Sequence, residues 1–565
     1  MIGGGSTSPA PQHLLARLAG LVPDAELVTI EGAGHAVHRT RAAEFLATAS
    51  PSCAAAAARD VTAGARAATG DMSPEERARA RIGNPHPVRV TGARPAVVLM
   101  AAGIALAGAL APAVAGTARS RAPALVRVSS DPIIKAGQEH ATEAEPDTIA
   151  VGHSVLSSFM VGNVPTCTDD IGWAFSSDGG KTWTHGLLPG LTPYSTPPGP
   201  EKSVADTTDS WDAKYKEWVV SALNCSGAGG VTVSTSTNGT HWSNPISVFK
   251  GTGSDISDKD WVTCDNHPAS PHYGNCYAEW DMVNKGFLVE MSTSTDGGKT
   301  WSAPVTTASK FRGVGGEPTV LPNGTVVVPI PTLHGLAVHD GDLDVFTSTN
   351  GGRTWGAART ISTFHQHSLA GNLQNLRLPF FPAEGMDRAG RIYLAFPDCR
   401  FRIKCASDDM VMTTSTDGTH WTAVTRVPIA PVTSKLDVWG GGLAVDPSAS
   451  GTSARLGLYY YYFPKVPCTV SACQVFLGYI SSADGGAVWS KPQVIAGPMK
   501  LTQFGDPYQG GAHIGGFAGD YVGASAIPDG NAVAVLPLGL PPTTQKFNEP
   551  METVAGGEPI KAQAP

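Results

Sequence analysis

The chain has 565 residues, only 16% of them charged, and its 65 Gly and 44 Pro suit short strands and tight turns better than long helices. The net charge of −8 is uneven: residues 1–122 hold 12 Arg against 8 acids, a net +4, so −12 falls on residues 123–565. An acidic main body lacks the basic face that phosphate binding needs, which excludes nucleic acid as the partner.

In chain order, the first readable elements are a strand in "AELVTI" (25–30), a "GAGH" turn that presents His35, and a helix starting at "RAAEFLA" (41–47). This stretch, within 3–47, resembles the C-terminal end of an α/β-hydrolase, where a His so placed serves as general base to a serine. No G-x-S-x-G elbow occurs anywhere in the chain, so His35 has nothing to activate. Residues 1–71 are expected to be an orphan, largely disordered remnant or an over-extended gene start, with Met72 the true start.

An export-signal region is expected over 72–118. "RVTGARP" (89–95) supplies positive charge, the next twenty residues (96–115) are apolar, and Ala113-Val114-Ala115 offers the small-x-small pattern of signal peptidase. Alanine and glycine dominate the apolar stretch and Pro112 interrupts it, which favours cleavage over a retained anchor. One cysteine, Cys53, precedes this segment and eight follow it, an even number that suits a disulfide-bonded exported domain over 119–565. The mature form is expected to be secreted, monomeric and without a membrane span.

From residue 176 one short string recurs: SSDGGKTW (176–183), STNGTHW (236–242), STDGGKTW (294–301), STNGGRTW (348–355), STDGTHW (415–421) and SADGGAVW (482–489). The tryptophans fall at 183, 242, 301, 355, 421 and 489, a spacing of 54 to 68 residues that fits one four-stranded propeller blade per repeat. In each turn the acid or amide (Asp178, Asn238, Asp296, Asn350, Asp417, Asp484) is expected to accept the glycine amides, with glycine supplying positive φ and tryptophan packing back. The strings match the Asp box, or BNR repeat, of sialidase-like propellers. That resemblance implies an all-β propeller whose boxes are structural and lie opposite the substrate face.

A second repeat precedes each box. An acid stands at or before an expected innermost strand: Glu145, Glu201, Asp260, Glu317, Glu384 and Asp437, with Asp520 as a seventh that has no box after it. Seven such strands predict seven blades, with the six blades of catalytic sialidases as the alternative. The last blade would be closed by an N-terminal strand near "ALVRVSS" (124–130), which removes open sheet edges. On this plan Cys264 and Cys276 flank a hairpin, Cys399/Cys405 and Cys468/Cys473 close small loops, and Cys167 and Cys225 hold equivalent places in the first two blades. No C-x-x-C spacing suggests a metal. The run "YYYYF" (459–463) reads as a strand with alternating faces.

The face opposite the boxes would hold Arg312, Arg377, Arg400, Arg402 and the histidines His334, His365, His367 and His513. Only ten arginines follow residue 130, and guanidinium forks suit carboxylates. The sialidase resemblance implies three Arg clamping a sugar carboxylate, a Tyr nucleophile helped by Glu, and an Asp acid/base. Carried onto this chain, these become Arg312, Arg377 and Arg400 or Arg402 for the clamp, and Asp260, Glu317 and Tyr521 for the chemistry. The F/Y-R-I-P motif of the family is missing, since "FRI" (401–403) is followed by Lys404. The expected activity is an exo-α-sialidase-type glycoside hydrolase acting on terminal acidic sugars, needing no cofactor, with calcium as the cation an acid ring would take. The alternative is a non-catalytic extracellular propeller that binds glycan or protein.

Overall fold

The computed structural model of the chain describes residues 2–4, 28–30, 123–133, 139–164, 167–225, 227–334, 340–367, 381–505 and 518–561. Strand makes up 47% of it and helix 3%, so the chain is all-β. The export segment, His35, Arg377 and His513 lie outside the described residues; from the expected remnant, Ile2–Gly4 pairs in parallel with Val28–Ile30.

The remaining strands form successive antiparallel groups, each wound from its first strand outward. The first holds Glu139–Val151, Ser154–Val164, Cys167–Ser176 and Thr184–Leu187. In the second, an interrupted first strand (Val204–Ala205, then Asp209–Asp212) is followed by Glu217–Asn224, Gly230–Ser236 and Ile246–Lys250. A Thr168–Val204 pairing joins these two groups into one continuous sheet. Four separate four-stranded sheets follow, opened by Ser257–Cys264, Thr319–Val320, Ala383–Met386 and Asp437–Val445. The last group is two three-stranded sheets: Ala524–Ile527, Asn531–Ala534 and Glu558–Pro559 form one, and Leu536–Pro537 pairs with Met551–Val554 in the other. Its outer strand is Leu125–Arg127, paired antiparallel with Met551–Val554, so both ends of the domain share one sheet.

The core lies between neighbouring sheets, which is why strands here are apolar on both faces. Leu456–Phe463 shows it best, for all eight residues are buried. Tyr459 and Tyr461 face the last group, their hydroxyls donating to the carbonyls of Ala532 and Pro537 at 2.8 Å each. Tyr460 and Tyr462 face the other way, into a cluster with Met410 and Met412. The tyrosine run is thus core, and no side of it is open to a sugar.

The six repeated turns share one bonding pattern, and it differs from the expected one. The glycine amide goes to the leading serine: Ser176 Oγ accepts from Gly180 N and Ser294 Oγ from Gly298 N, both at 2.9 Å. The aspartate accepts further along, Asp178 from Lys181 N (3.0 Å) and from Thr182 N (2.9 Å) and Oγ1 (2.7 Å). The physical reason is reach: the serine points back under the turn while the aspartate caps its far end. Trp183 Nε1 then donates to Gly180 O at 3.0 Å, within the turn, a bond that Trp242 and Trp355 do not make in the second and fourth turns.

Disulfides join Cys167 to Cys225, Cys264 to Cys276, Cys399 to Cys405 and Cys468 to Cys473. The first ties the first group to the second, and the others close loops within one sheet. Among the described residues no helix is long and apolar enough to cross a membrane.

Candidate functional site

The first strand of every group, or the residues leading into it, reaches one cavity of about 290 Å³. Asp147 comes from the first group, Asp209 from the second, Trp261 from the third, Glu317 from the fourth, Glu384 from the fifth, Leu443 from the sixth and Tyr521 from the last. Local backbone chemistry aims these side chains. Glu145, Asp206 and Lys259 all have left-handed φ (52°, 35° and 48°), and glycines take the same role at Gly315 and Gly519. For a non-glycine residue this costs about 1–3 kcal/mol and marks a place the surroundings over-determine. Pairing slips there, between Ala144 and Asp147 and between Asp258 and Trp261. The residue two beyond four of these positions faces the cavity, Asp147, Trp261, Glu317 and Tyr521, and after Asp206 it is the third, Asp209. Gly523 is required for a related reason, because any Cβ there would collide with the Asp147 carboxylate.

Beside the cavity the left-handed side chains converge on one cation. Lys259 Nζ lies 3.3 Å from Glu145 Oε1, 3.2 Å from Asp206 Oδ1 and 2.7 Å from Asp520 Oδ2, all four side chains being buried. The ammonium also stands 5.7 Å from the Tyr521 ring centroid, a cation–π distance. One positive charge therefore ties the first, second, third and last groups together.

Asp520 also lines the cavity, but among the described residues the other lining carboxyls, Asp147, Asp209, Glu317 and Glu384, have no such cation. Asp147 accepts Asp209 N at 2.8 Å and Thr148 N at 2.7 Å, and Asp209 accepts Ser158 N at 2.9 Å, yet Asp209 Oδ1 is buried with no partner. Burial pushes Asp147 up to about 6 and Glu384 up to about 8. It also holds Asp209 and Glu317 well above the usual carboxylate range, reinforced by the charge of Asp147 on the former and of Glu384 on the latter. Such a set can give and take protons near neutrality. Trp261 and Tyr521, edge to face at 5.3 Å, add an aromatic wall.

Of the residues expected from sequence, Glu317 and Tyr521 border this cavity and Asp260 does not. Asp260 is buried beside Ser221, its carboxyl raised first by desolvation. Tyr521 presents its ring, because its hydroxyl accepts from Thr207 N at 2.8 Å and donates to Thr207 O at 2.9 Å. Arg312 is exposed, on the link between the third and fourth sheets. Arg400 and Arg402 do not present a free clamp. Arg400 bonds Asp398 through Nε (2.8 Å) and Nη2 (2.7 Å), and the buried Arg402 bonds Asp409 through Nε (2.7 Å) and Nη2 (2.5 Å). The chain's own carboxylates occupy the place expected for a sugar's. The histidines are likewise paired: His334 with Asp342, His365 with Asp340 and His367 with Asp437, at 2.7–2.8 Å. Glu201 sits in a loop ahead of its strand, and Asp206 and Asp209 hold the positions expected of it.

Sequence reasoning missed Asp147, Asp206, Asp209 and Lys259. A signal was present in "EPD", "DTTD" and "DKD", where a charged residue follows within three positions of another at each strand entry.

Residues 222–440 match the family model described as the BNR repeat-like domain. No curated protein matches the chain. Among solved structures, the Hadza microbial sialidase Hz136 is 17% identical over 57% of this chain at a TM-score of 0.39, and the chain spans 64% of its length. The NanB sialidase from Streptococcus pneumoniae is 13% identical over 77% of this chain and 70% of its own, at 0.37. A PL25 ulvan lyase bound to -[GlcA(1-4)Rha3S]- is 13% identical over 77% and 97%, at 0.43.

Proposed function

We propose that this sialidase-like BNR propeller is an exported, seven-bladed glycoside hydrolase that works from its central cavity. The observation that carries the reading is the cavity's lining. Four carboxyls with raised proton affinity, Asp147, Asp209, Glu317 and Glu384, face an aromatic wall in a space fit for a sugar ring. Glycoside hydrolysis needs a carboxylic acid that keeps its proton near neutrality beside a second carboxylate that has lost it. Glu317, held well above the usual carboxylate range, suits the acid, and Asp147, raised less than Glu384, suits the base.

The narrower reading is an exo-α-sialidase-type reaction on terminal acidic sugars, with Arg312 and Arg377 for the carboxylate and Glu317 for the chemistry, since Asp260 lies off the cavity and the Tyr521 hydroxyl is held by Thr207. Its weak point is the engagement of Arg400 and Arg402 by Asp398 and Asp409. That same engagement favours a second reading, a non-catalytic glycan- or protein-binding propeller. The test is release of 4-methylumbelliferone by the purified full chain from a panel containing the α-sialoside, a β-glucuronide and neutral glycosides. Turnover of the α-sialoside that Arg312→Ala weakens supports the sialidase form. Turnover of other members alone supports the hydrolase without it, and turnover of none leaves the binding reading.

A further inference from the structure

Among the described residues the large apolar side chains left exposed are Phe401, Ile403, Val432, Val488 and Val494. The last two stand apart, on a repeated turn and on an outer strand, but the first three share one ridge. Phe401 and Ile403 (37% and 73% exposed) tip the loop closed by Cys399 and Cys405, and Val432 (46%) lies in the link that leads into Asp437–Val445. Arg402, between Phe401 and Ile403, is buried and donates to Pro431 O at 2.8 Å and to Ser434 O at 3.1 Å, which clamps the loop to the link on either side of Val432. A third loop joins them, for Val466 N donates to Lys435 O at 2.8 Å. Charge here is one-sided. Residues 399–408, 428–436 and 464–473 hold Arg400, Arg402, Lys404, Lys435 and Lys465 against a single acid, Asp408, which is buried. The two arginines are paired with Asp398 and Asp409, whereas all three lysines are exposed. In a domain that carries −12 over 123–565, this is a local reversal of sign.

We infer that this ridge docks the protein on an anionic lipid bilayer, with Phe401 and Ile403 entering the headgroup–acyl boundary and Lys404, Lys435 and Lys465 meeting the lipid charge. Apolar side chains ringed by lysines match an apolar layer under a charged one. A soluble polyanion would satisfy the lysines and leave Ile403 nothing to bury against. The tip is built to project. Lys404 and Cys405 both have left-handed φ (55° and 51°), which non-glycine residues keep only where the surroundings over-determine it. A loop that is closed by a disulfide and clamped by Arg402 also loses little freedom on docking. The topology leaves room for a bilayer. In the fifth and sixth sheets the third strands, Asp409–Ser415 and Gln474–Ser482, run from these loops to the repeated turns, so the ridge and those turns lie at opposite ends. This surface does not depend on the hydrolase reading.

The test is cosedimentation of the full chain with vesicles of phosphatidylcholine alone, or of equal parts phosphatidylcholine and phosphatidylglycerol. Binding should be stronger to the anionic vesicles and should fall as salt rises. Phe401→Ser/Ile403→Ser and Lys404→Glu/Lys435→Glu should each lower it by about tenfold or more, while Val488→Ser/Val494→Ser leaves it unchanged. Thermal unfolding checks that each variant folds, and Ile403→Ser alone replaces the first if it does not. Hydrogen exchange at 399–405 and 430–435 should slow on the anionic vesicles while the turn at 176–183 is unaffected, a pattern that anchoring through the apolar stretch 96–115 would not give. The inference is overturned if exchange in the two loops is unchanged on anionic vesicles, or if Val488→Ser/Val494→Ser lowers binding as much. Binding lost with the lysine pair but kept by Phe401→Ser/Ile403→Ser would make the ridge a polyanion site and overturn the lipid assignment too. A chain that hydrolyses glycosides but ignores vesicles removes this surface and keeps the function. One that binds anionic vesicles through the ridge and hydrolyses nothing does the reverse.

Discussion

Lys259 Nζ lies 2.7 Å from Asp520 Oδ2, so a salt bridge joins the first strand of the third group to the entry of the last group beside the cavity. With Glu145 and Asp206 on the same ammonium, this is a buried cage with one cation and three acids. Removing the cation strands the acids. Lys259→Met should cost about 3–5 kcal/mol in urea unfolding, the usual penalty for breaking a buried pair. A loss below about 1 kcal/mol would mean that the cage does not hold the groups together.

The raised carboxyls set how stability follows pH. Burial lifts Glu143 to about 7, Asp147 and Asp170 to about 6, and Glu384 to about 8. Each binds its proton more tightly folded than unfolded, so its contribution is present below the unfolded value and lost as pH rises through the folded one. Stability should therefore fall between about pH 4 and pH 8, by at most ~1.4 kcal/mol per pH unit for each such group. Denaturant midpoints across that range measure it, and Glu384→Gln should flatten the upper part of the slope.

The repeated turns are staples without a part in chemistry. Asp178→Ala removes four hydrogen bonds at an exposed turn and should cost about 1–2 kcal/mol. Turnover of any substrate the wild type hydrolyses should stay within twofold at a temperature where both are folded, to the order of such comparisons (~0.4 kcal/mol).

The disulfides should rank by the loops they close. Cys167 and Cys225 are 58 residues apart and tie two groups, whereas Cys468 and Cys473 are 5 apart. In the chain-entropy model the first contributes about 4 kcal/mol and the second about 2. Paired serine substitutions compared by thermal unfolding should reproduce that order.

How much of this was legible in the sequence depends on what kind of signal each part leaves. The turns repeat because serine, aspartate and glycine must each sit at a fixed offset, and that offset shows as a string. Glu317 and Tyr521 were found because they stand where strands begin. Asp147 and Lys259 were not, because a left-handed bend at a non-glycine residue leaves no periodicity, and it is this bend that decides which acid faces the cavity. Arg400 and Arg402 read as free ligands only while Asp398, two residues before one, and Asp409, seven after the other, were left out of the pairing. A scarce arginine beside a nearby acid is first a partner to that acid.

The most direct test of the account is the rate of glycoside hydrolysis by the full chain against Glu317→Gln, with thermal unfolding run on both. The account predicts that wild type turns over at least one member of the glycoside panel and that Glu317→Gln, still folded, loses about a hundredfold or more, the scale of general acid catalysis. A folded Glu317→Gln that keeps the wild-type rate would contradict it.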